Sequence, residues 1–299
     1  MPVITTTSLG DTLPVFIAEA ELTLKQEGLM KGLVDSVTLG KGAGLTYNRP
    51  TWSAVSTIDL TQGVDLSQAQ AVTDSNFAVT VAELGGQVFF SDLTEMALRE
   101  DVMRFFGQAL ANAYVNAIDT DLTEQLANGG VTLGGATSTM LIGRLMAAVV
   151  RLKSATRPSQ GTISCVLHPY QYHAVAEDLA ALSGGRWVNS TGTPSVERSF
   201  GSSINGLSQK IVEEYEVGKL AGVNVYLDPN IAIASSAAKG AVFAKRGIVE
   251  VNYESPSVRV QRDESLRGVE LNYVGVHGQG VYDSTWVFTM HSDASTPTT

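Results

Sequence analysis

Changes in the period of hydrophobic and polar positions divide the chain. Residues 1–35 open with a Thr/Ser run and continue with a helical spacing of Phe16, Ile17, Ala20 and Leu24. Asp11 and Thr12 are capping types, Pro14 suits a first turn, and Gly28 and Gly32 weaken the end. This predicts a short arm with one amphipathic helix, packed on its own domain or on a neighbour. From Val37 to Phe90 the period shortens: Leu45 to Arg49 and Phe77 to Ala82 alternate as strands do. The stretch between them, Ser53 to Ser75, is rich in Thr, Gln, Asp and Ala and holds no aromatic residue, so it cannot build a core of its own. The segment therefore reads as a long two-stranded hairpin with a polar tip. Two strands alone are marginal in water, so the hairpin has to lie on something the chain does not obviously supply.

After Val88-Phe89-Phe90, Asp92 and Glu95 stand at capping-box spacing. Leu93, Met96, Val102, Phe105, Phe106, Ala109, Ala113, Ala117, Leu122 and Leu126 then recur at helical spacing until Asn128-Gly129-Gly130 stops the pattern. With no proline between Asp92 and Ala127, the spacing predicts a helix of about 36 residues and about 54 Å, a strut; the alternative is a break near Gly107. A second amphipathic helix is expected from Ser138 to Ser154, with Leu141, Leu145, Ala148, Val149 and Leu152 inward. Pro158 to Gly161 turns the chain into the apolar strand Ile163–Leu167, and Pro169 opens a helix over Tyr170 to Leu182. Helix, strand and helix in that order indicate an α/β unit. Residues 183–206 form a Gly/Ser/Thr-rich loop around Trp187, and Val212 to Val225 returns to strand alternation. The last residues predict four strands, Gly240–Val251, Ser257–Gln261, Val269–Val276 and Val281–Met290, before a polar tail from Ser292.

Composition narrows the function. In 299 residues, Lys+Arg 20 against Asp+Glu 30 leaves a net charge of −10, which argues against a basic surface wrapped around nucleic acid. Charged residues make up 17%, below the norm of about 25%, which suits a surface buried against copies of itself. Cys165 is the only cysteine, so neither an intrachain disulfide nor a multi-cysteine metal site is available. The start MPVITTTSLG lacks the charged and apolar regions of a signal peptide, and no stretch approaches the ~20 apolar residues of a membrane span, so the expectation is a protein made and kept in the cytosol without membrane contact.

Candidate chemistry is sparse. His168 and His173 are five apart, which does not align two metal ligands on a helix; the expected roles are a capping His168 and a surface His173. Cys165 sits inside an apolar run and reads as a buried, inert side chain. Gly40-Lys41-Gly42-Ala43-Gly44 lacks phosphate-loop spacing and leads into a strand, so it reads as an elbow. Asp119, Asp121 and Glu124 read as a solvated helix face, and Asn189-Ser190-Thr191 as a glycosylation pattern without consequence in the cytosol. No G-x-S-x-G, H-E-x-x-H or paired C-x-x-C occurs, so no catalytic, cofactor-binding or metal-binding residue is assigned and no cofactor is expected.

The order of these pieces resembles that of the major capsid proteins of tailed bacteriophages, the Hong Kong 97-type fold. Ile163 to Leu167 followed by His168-Pro169 and a Tyr-containing helix looks like the strand, Asn/His-Pro, helix step of that family's axial domain. Ala221-Gly222-Val223-Asn224-Val225-Tyr226 looks like its G-x-P-V strand, with Asn224 in place of the usual proline. Phe243 to Ile248 and Val260 to Asp263 resemble its late peripheral-domain strands.

The resemblance implies an α+β fold with an N-terminal arm (1–35), an extended hairpin loop or E-loop (36–90), a peripheral domain with a spine helix (91–157), an α/β axial domain (158–239) and late peripheral strands with a tail (240–299). It implies a non-enzymatic shell protein that assembles through pentamers and hexamers into an icosahedral head enclosing double-stranded DNA. The implied place is the virion, after assembly in the host cytoplasm. Implied partners are copies of itself, a portal protein and a scaffolding or decoration protein. Few residues precede the hairpin, so scaffolding is expected to be separate, already removed or unnecessary. Lys41 lies near the hairpin base and no other lysine lies between it and Lys153, so the Lys–Asn crosslink of some relatives is not expected. Encapsulin nanocompartments share the fold and are the alternative; an α/β enzyme with a long arm is the reading from a different class.

Overall fold

A computed structural model describes residues 28–53, 55–57, 59, 62–63, 70–92, 100–154, 161–183 and 218–297. The expected arm helix, most of the hairpin tip, the helix start from Leu93 to Glu95, Asn189 and the loop around Trp187 lie outside the described residues. The short helix α1 (Met30–Leu33) leads into β1 (Asp35–Thr38), and the hairpin strands β2 (Thr46–Trp52) and β3 (Asp74–Thr80) precede β4 (Ala82–Ser91). Helix α2 (Glu100–Glu124) is followed by β5 (Val131–Gly134), α3 (Ile142–Ser154), β6 (Ile163–Leu167) and α4 (Pro169–Ser183). Strands β7 (Lys219–Leu220), β8 (Val223–Leu227), β9 (Ile233–Ala234), β10 (Ala237–Ala244), β11 (Ile248–Asp263), β12 (Gly268–Val281) and β13 (Val287–Asp293) complete the chain.

A mixed sheet in the order β5-β13-β10-β6-β8-β7, with β9 added to β10, forms the centre. Strands β6 and β10 read as nearly continuous apolar runs because both faces are covered. Cys165, Leu167, Val242, Phe288 and Met290 turn toward Leu145, Leu152 and Tyr172 of α3 and α4. The alternate positions Val166, Ala241, Phe243 and Val287 turn toward α1 and toward Ile118 and Leu122 of α2. A second sheet, β1-β11-β12-β4, is built on the long antiparallel pair β11–β12. Pro256 falls where the register of that pair shifts, between Glu254 and Ser257, so its missing N–H breaks no regular ladder.

Helix α2 runs unbroken through Gly107. A 3-10 turn, Gln125–Asn128, ends it. There the Thr289 hydroxyl donates to the Leu126 carbonyl at 2.6 Å, satisfying one of the acceptors a helix end leaves open. A Cβ on Gly129 would meet the Val287 carbonyl at 2.6 Å, which is why the stop has to be glycine.

Four expectations change. Helix α3 begins at Ile142, not Ser138, because the Ser138 hydroxyl is committed to a turn with Gly135 and the helix is capped from elsewhere, the Asp178 carboxylate accepting from Ile142 N at 3.1 Å. Leu141 consequently stands outside the helix and exposed. The strand expected to run on to Val225 is a tight hairpin at its end, β7 and β8 joined by Ala221 and Gly222, both at positive φ. The expected strand Gly240–Val251 is two strands in different sheets, β10 and β11, separated by a 3-10 turn at Lys245–Gly247. Ser257–Gln261 is not separate but part of β11.

Candidate assembly surface

The hairpin has two parts with different chemistry. Its root is fastened to the second sheet. Val79 and Val81 are buried with Val249, Val251 and Val276. Phe77 meets Tyr282 edge to face at 5.4 Å, and the Arg49 guanidinium lies 4.2 Å over the Tyr282 ring while approaching Asp35 at 3.6 Å. Glycines in β12 permit the approach: a Cβ on Gly278 would sit 2.8 Å from the Thr80 carbonyl, and one on Gly280 would sit 2.9 Å from Val79.

Beyond the root, hydrogen bonds join the two strands. Strands β2 and β3 pair from Thr46↔Thr80 to Trp52↔Asp74, and Ser53 N donates to the Thr73 carbonyl at 2.9 Å. Farther out, Gln70 Oε1 accepts from Ser56 N at 2.9 Å and its Nε2 donates to the Ser56 carbonyl at 2.8 Å, copying a backbone pair with a side chain. Trp52 is 61% exposed and Val55 63% exposed. Among the described residues β2 and β3 form a sheet of two, so each leaves an outer edge unpaired, the usual template for another chain. A slender hairpin with apolar side chains in water and open edges is suited to lie across a second protein surface.

The residues singled out from sequence fall in unrelated places. Cys165 is buried in the central sheet, and burial pushes its thiol up to about 12. His168 Nδ1 accepts from Tyr170 N at 3.1 Å at the start of α4, the expected capping role, and burial lowers its pKa. His173 is partly exposed, 3.8 Å from Glu177 one turn on. Gly40 to Gly44 form an exposed turn between β1 and β2, with Gly42 and Gly44 at positive φ. Asp119 corrects the expectation of a solvated acidic face: it is buried, accepting from Met30 N at 2.7 Å and from Asn230 Nδ2 at 3.1 Å. Asp121 bonds His277 at 3.0 Å, and only Glu124 is exposed. Sequence reasoning missed Asp228, Asn230, Gly278 and Gly280; glycines two apart within a strand were the one available signal of close backbone approach. Among the described residues, no group of three or more His, Cys, Asp or Glu is placed to hold a metal ion, and no helix is long and apolar enough to cross a membrane.

Two interlocked sheets, a long helix and a projecting hairpin define a fold shared with solved phage capsids. The chain is similar to the capsid of cyanophage P-SCSP1u, at 16% identity over 90% of this chain and 89% of that one, with a TM-score of 0.65. The head protein of Helicobacter pylori bacteriophage KHP40 superposes with a TM-score of 0.69 at 8% identity, covering 90% and 92% of the two chains. That of Ralstonia phage GP4 does so at 0.65 and 11%, covering 89% and 88%. A comparison by sequence with curated proteins finds no match. The family model described as "Phage capsid protein" matches residues 74–290, well over half of the chain, and the chain belongs to that family. It is a structural protein of the capsid shell, and the nanocompartment alternative is not favoured.

Proposed function

We propose that copies of this chain form pentameric and hexameric capsomers that close into an icosahedral head around double-stranded DNA, with each β2–β3 hairpin lying across a neighbouring subunit. The observation that carries this reading is the hairpin itself: a root packed on β12 and a distal part with Trp52 and Val55 exposed and open edges. A neighbour's surface would cover those apolar groups and pair or shield the edges. The role is structural and needs no cofactor or catalytic residue. The net charge of −10 supports enclosure of DNA without adhesion, since a wall that neutralised phosphates would hold the genome in place.

The chain divides into an arm to residue 35, a hairpin over 36–90, a spine-helix segment over 91–157, an axial segment over 158–239 and late strands over 240–299. The strand order favours one refinement: β5, β10 and β13 go with the axial sheet, while α2, β1, β4, β11 and β12 make the peripheral unit. Assembly takes place in the host cytoplasm, with a portal protein and a scaffolding or decoration protein as further partners.

Electron microscopy and analytical ultracentrifugation of the protein expressed alone test this. Capsomers, shells or tubes are the expected result, and a compact monomer at high concentration across a range of salt would contradict it.

A further inference from the structure

Beneath the arm root two carboxyl groups meet away from water. Asp119 on α2 and Asp228 after β8 are each 2% exposed. Both Asp119 oxygens already accept hydrogen bonds, Oδ1 from Met30 N at 2.7 Å and Oδ2 from Asn230 Nδ2 at 3.1 Å. Asp228 Oδ1 accepts from Asn230 N at 2.9 Å, but its Oδ2 is buried without a hydrogen-bond partner. Asn230 links the two carboxyl groups, its N–H on Asp228 and its side-chain amide on Asp119. Two ionised carboxylates so placed repel strongly, and a buried acceptor without a donor adds a desolvation penalty. A single proton removes both problems. On Asp228 Oδ2 it turns the orphan acceptor into a donor toward Asp119.

We propose that Asp119 and Asp228 share one proton and form a latch that fastens the arm root, through Met30, and the 228–231 turn to helix α2, loosening when that proton leaves. The latch acts on a joint. Helix α1 links the arm to β1, Met30 and Val34 are buried against α2, and Gly28 crosses α2 so closely that a Cβ there would meet Val115 at 2.8 Å. Thr123 adds a weak bond to the Asn230 carbonyl at 3.4 Å. The proposal concerns the subunit's own fold and does not depend on how the shell is built.

Among the described residues, no ion pair joins a cation to either carboxyl group. Lys31 of α1 lines the same cavity as Asp119 and Tyr114, but its Nζ lies 3.8 Å from the buried Glu250 of β11. On α2, Asp121 bonds His277 of β12 and Glu124 is exposed. At the end of β6, in register beside β8, His168 accepts from Tyr170 N, and burial keeps its pKa below the ordinary histidine value. Burial first, opposed by the Asn230 N–H and reinforced by the Asp119 carboxyl, raises Asp228 to about 7. The unfolded chain loses this proton near 3.8 and the folded one holds it to about 7, so stability is fullest below the first value and falls as pH rises through the second.

Infrared difference spectroscopy on the full chain tests the shared proton directly, and hydrogen exchange tests the latch. A protonated-carboxyl band should persist near pH 6, vanish by about pH 8.5 and be missing from Asp228→Asn, whose amide donates permanently. Exchange in peptides spanning 28–38, corrected for the intrinsic rate, should rise about tenfold or more over that interval in the wild type and stay flat in Asp228→Asn. No titrating band, or parallel exchange profiles in the two proteins, would overturn the proposal. So would an alkaline loosening reversed by added calcium, which would make the pair a cation site. If Asp228→Asn does not fold, the wild-type band still decides: titration near 7 supports the latch and titration near 4 refutes it.

Discussion

The central sheet and the β2–β3 hairpin are both built from β-prone sequence, yet they bury it in opposite ways. Strand β6 has four consecutive buried residues, Ser164 to Leu167, because α3 and α4 cover one face of its sheet and α1 and α2 the other. Strands β2 and β3 have no buried residue except Val79, at the end nearest β12. The first region completes itself within one chain. Among the described residues, the second is buried only at its root.

Breaking the first region should cost most. Ala109→Pro removes a hydrogen bond inside α2 and clashes with the preceding turn, a loss of ~3 kcal/mol or more, and should give insoluble or assembly-dead protein in expression and sedimentation assays. Leu152→Ala, which empties a fully buried site between α3 and the sheet, should cost about 2–5 kcal/mol in chemical denaturation. Gly278→Val sharpens the boundary between the two regions. Its side chain would collide with Thr80 and Val79, so a loss of about 1–3 kcal/mol is expected, with increased exchange in β3 and little change in β6. Trp52→Ser lies on the other side of the boundary. Subunit stability should stay within about 0.5 kcal/mol while assembly, followed by light scattering, weakens.

The same contrast governs what was legible in the sequence. Strand β6 and helix α4 were readable nearly to the residue, because a short apolar run, a His-Pro step and a helical repeat are local signals. The hairpin was readable from alternation around a polar stretch. The start of helix α3 was not legible, because its first N–H is capped by Asp178, 36 residues away. Strands β10 and β11 merged because apolar positions resume directly after Lys245-Arg246-Gly247, where the chain changes sheets. Asp119 looked solvated because its partner Asn230 is 111 residues distant, a contact that no helical spacing encodes.

The central claim is that the distal hairpin serves the assembly and not the subunit. Replacing residues 55–71 by a short Gly-Ser link, then comparing thermal unfolding by circular dichroism with electron microscopy of the same preparation, tests it most directly. The account predicts a folded subunit with an almost unchanged unfolding midpoint and no stable shells. An unfolded deletion protein, or one that assembles as the intact chain does, would contradict it.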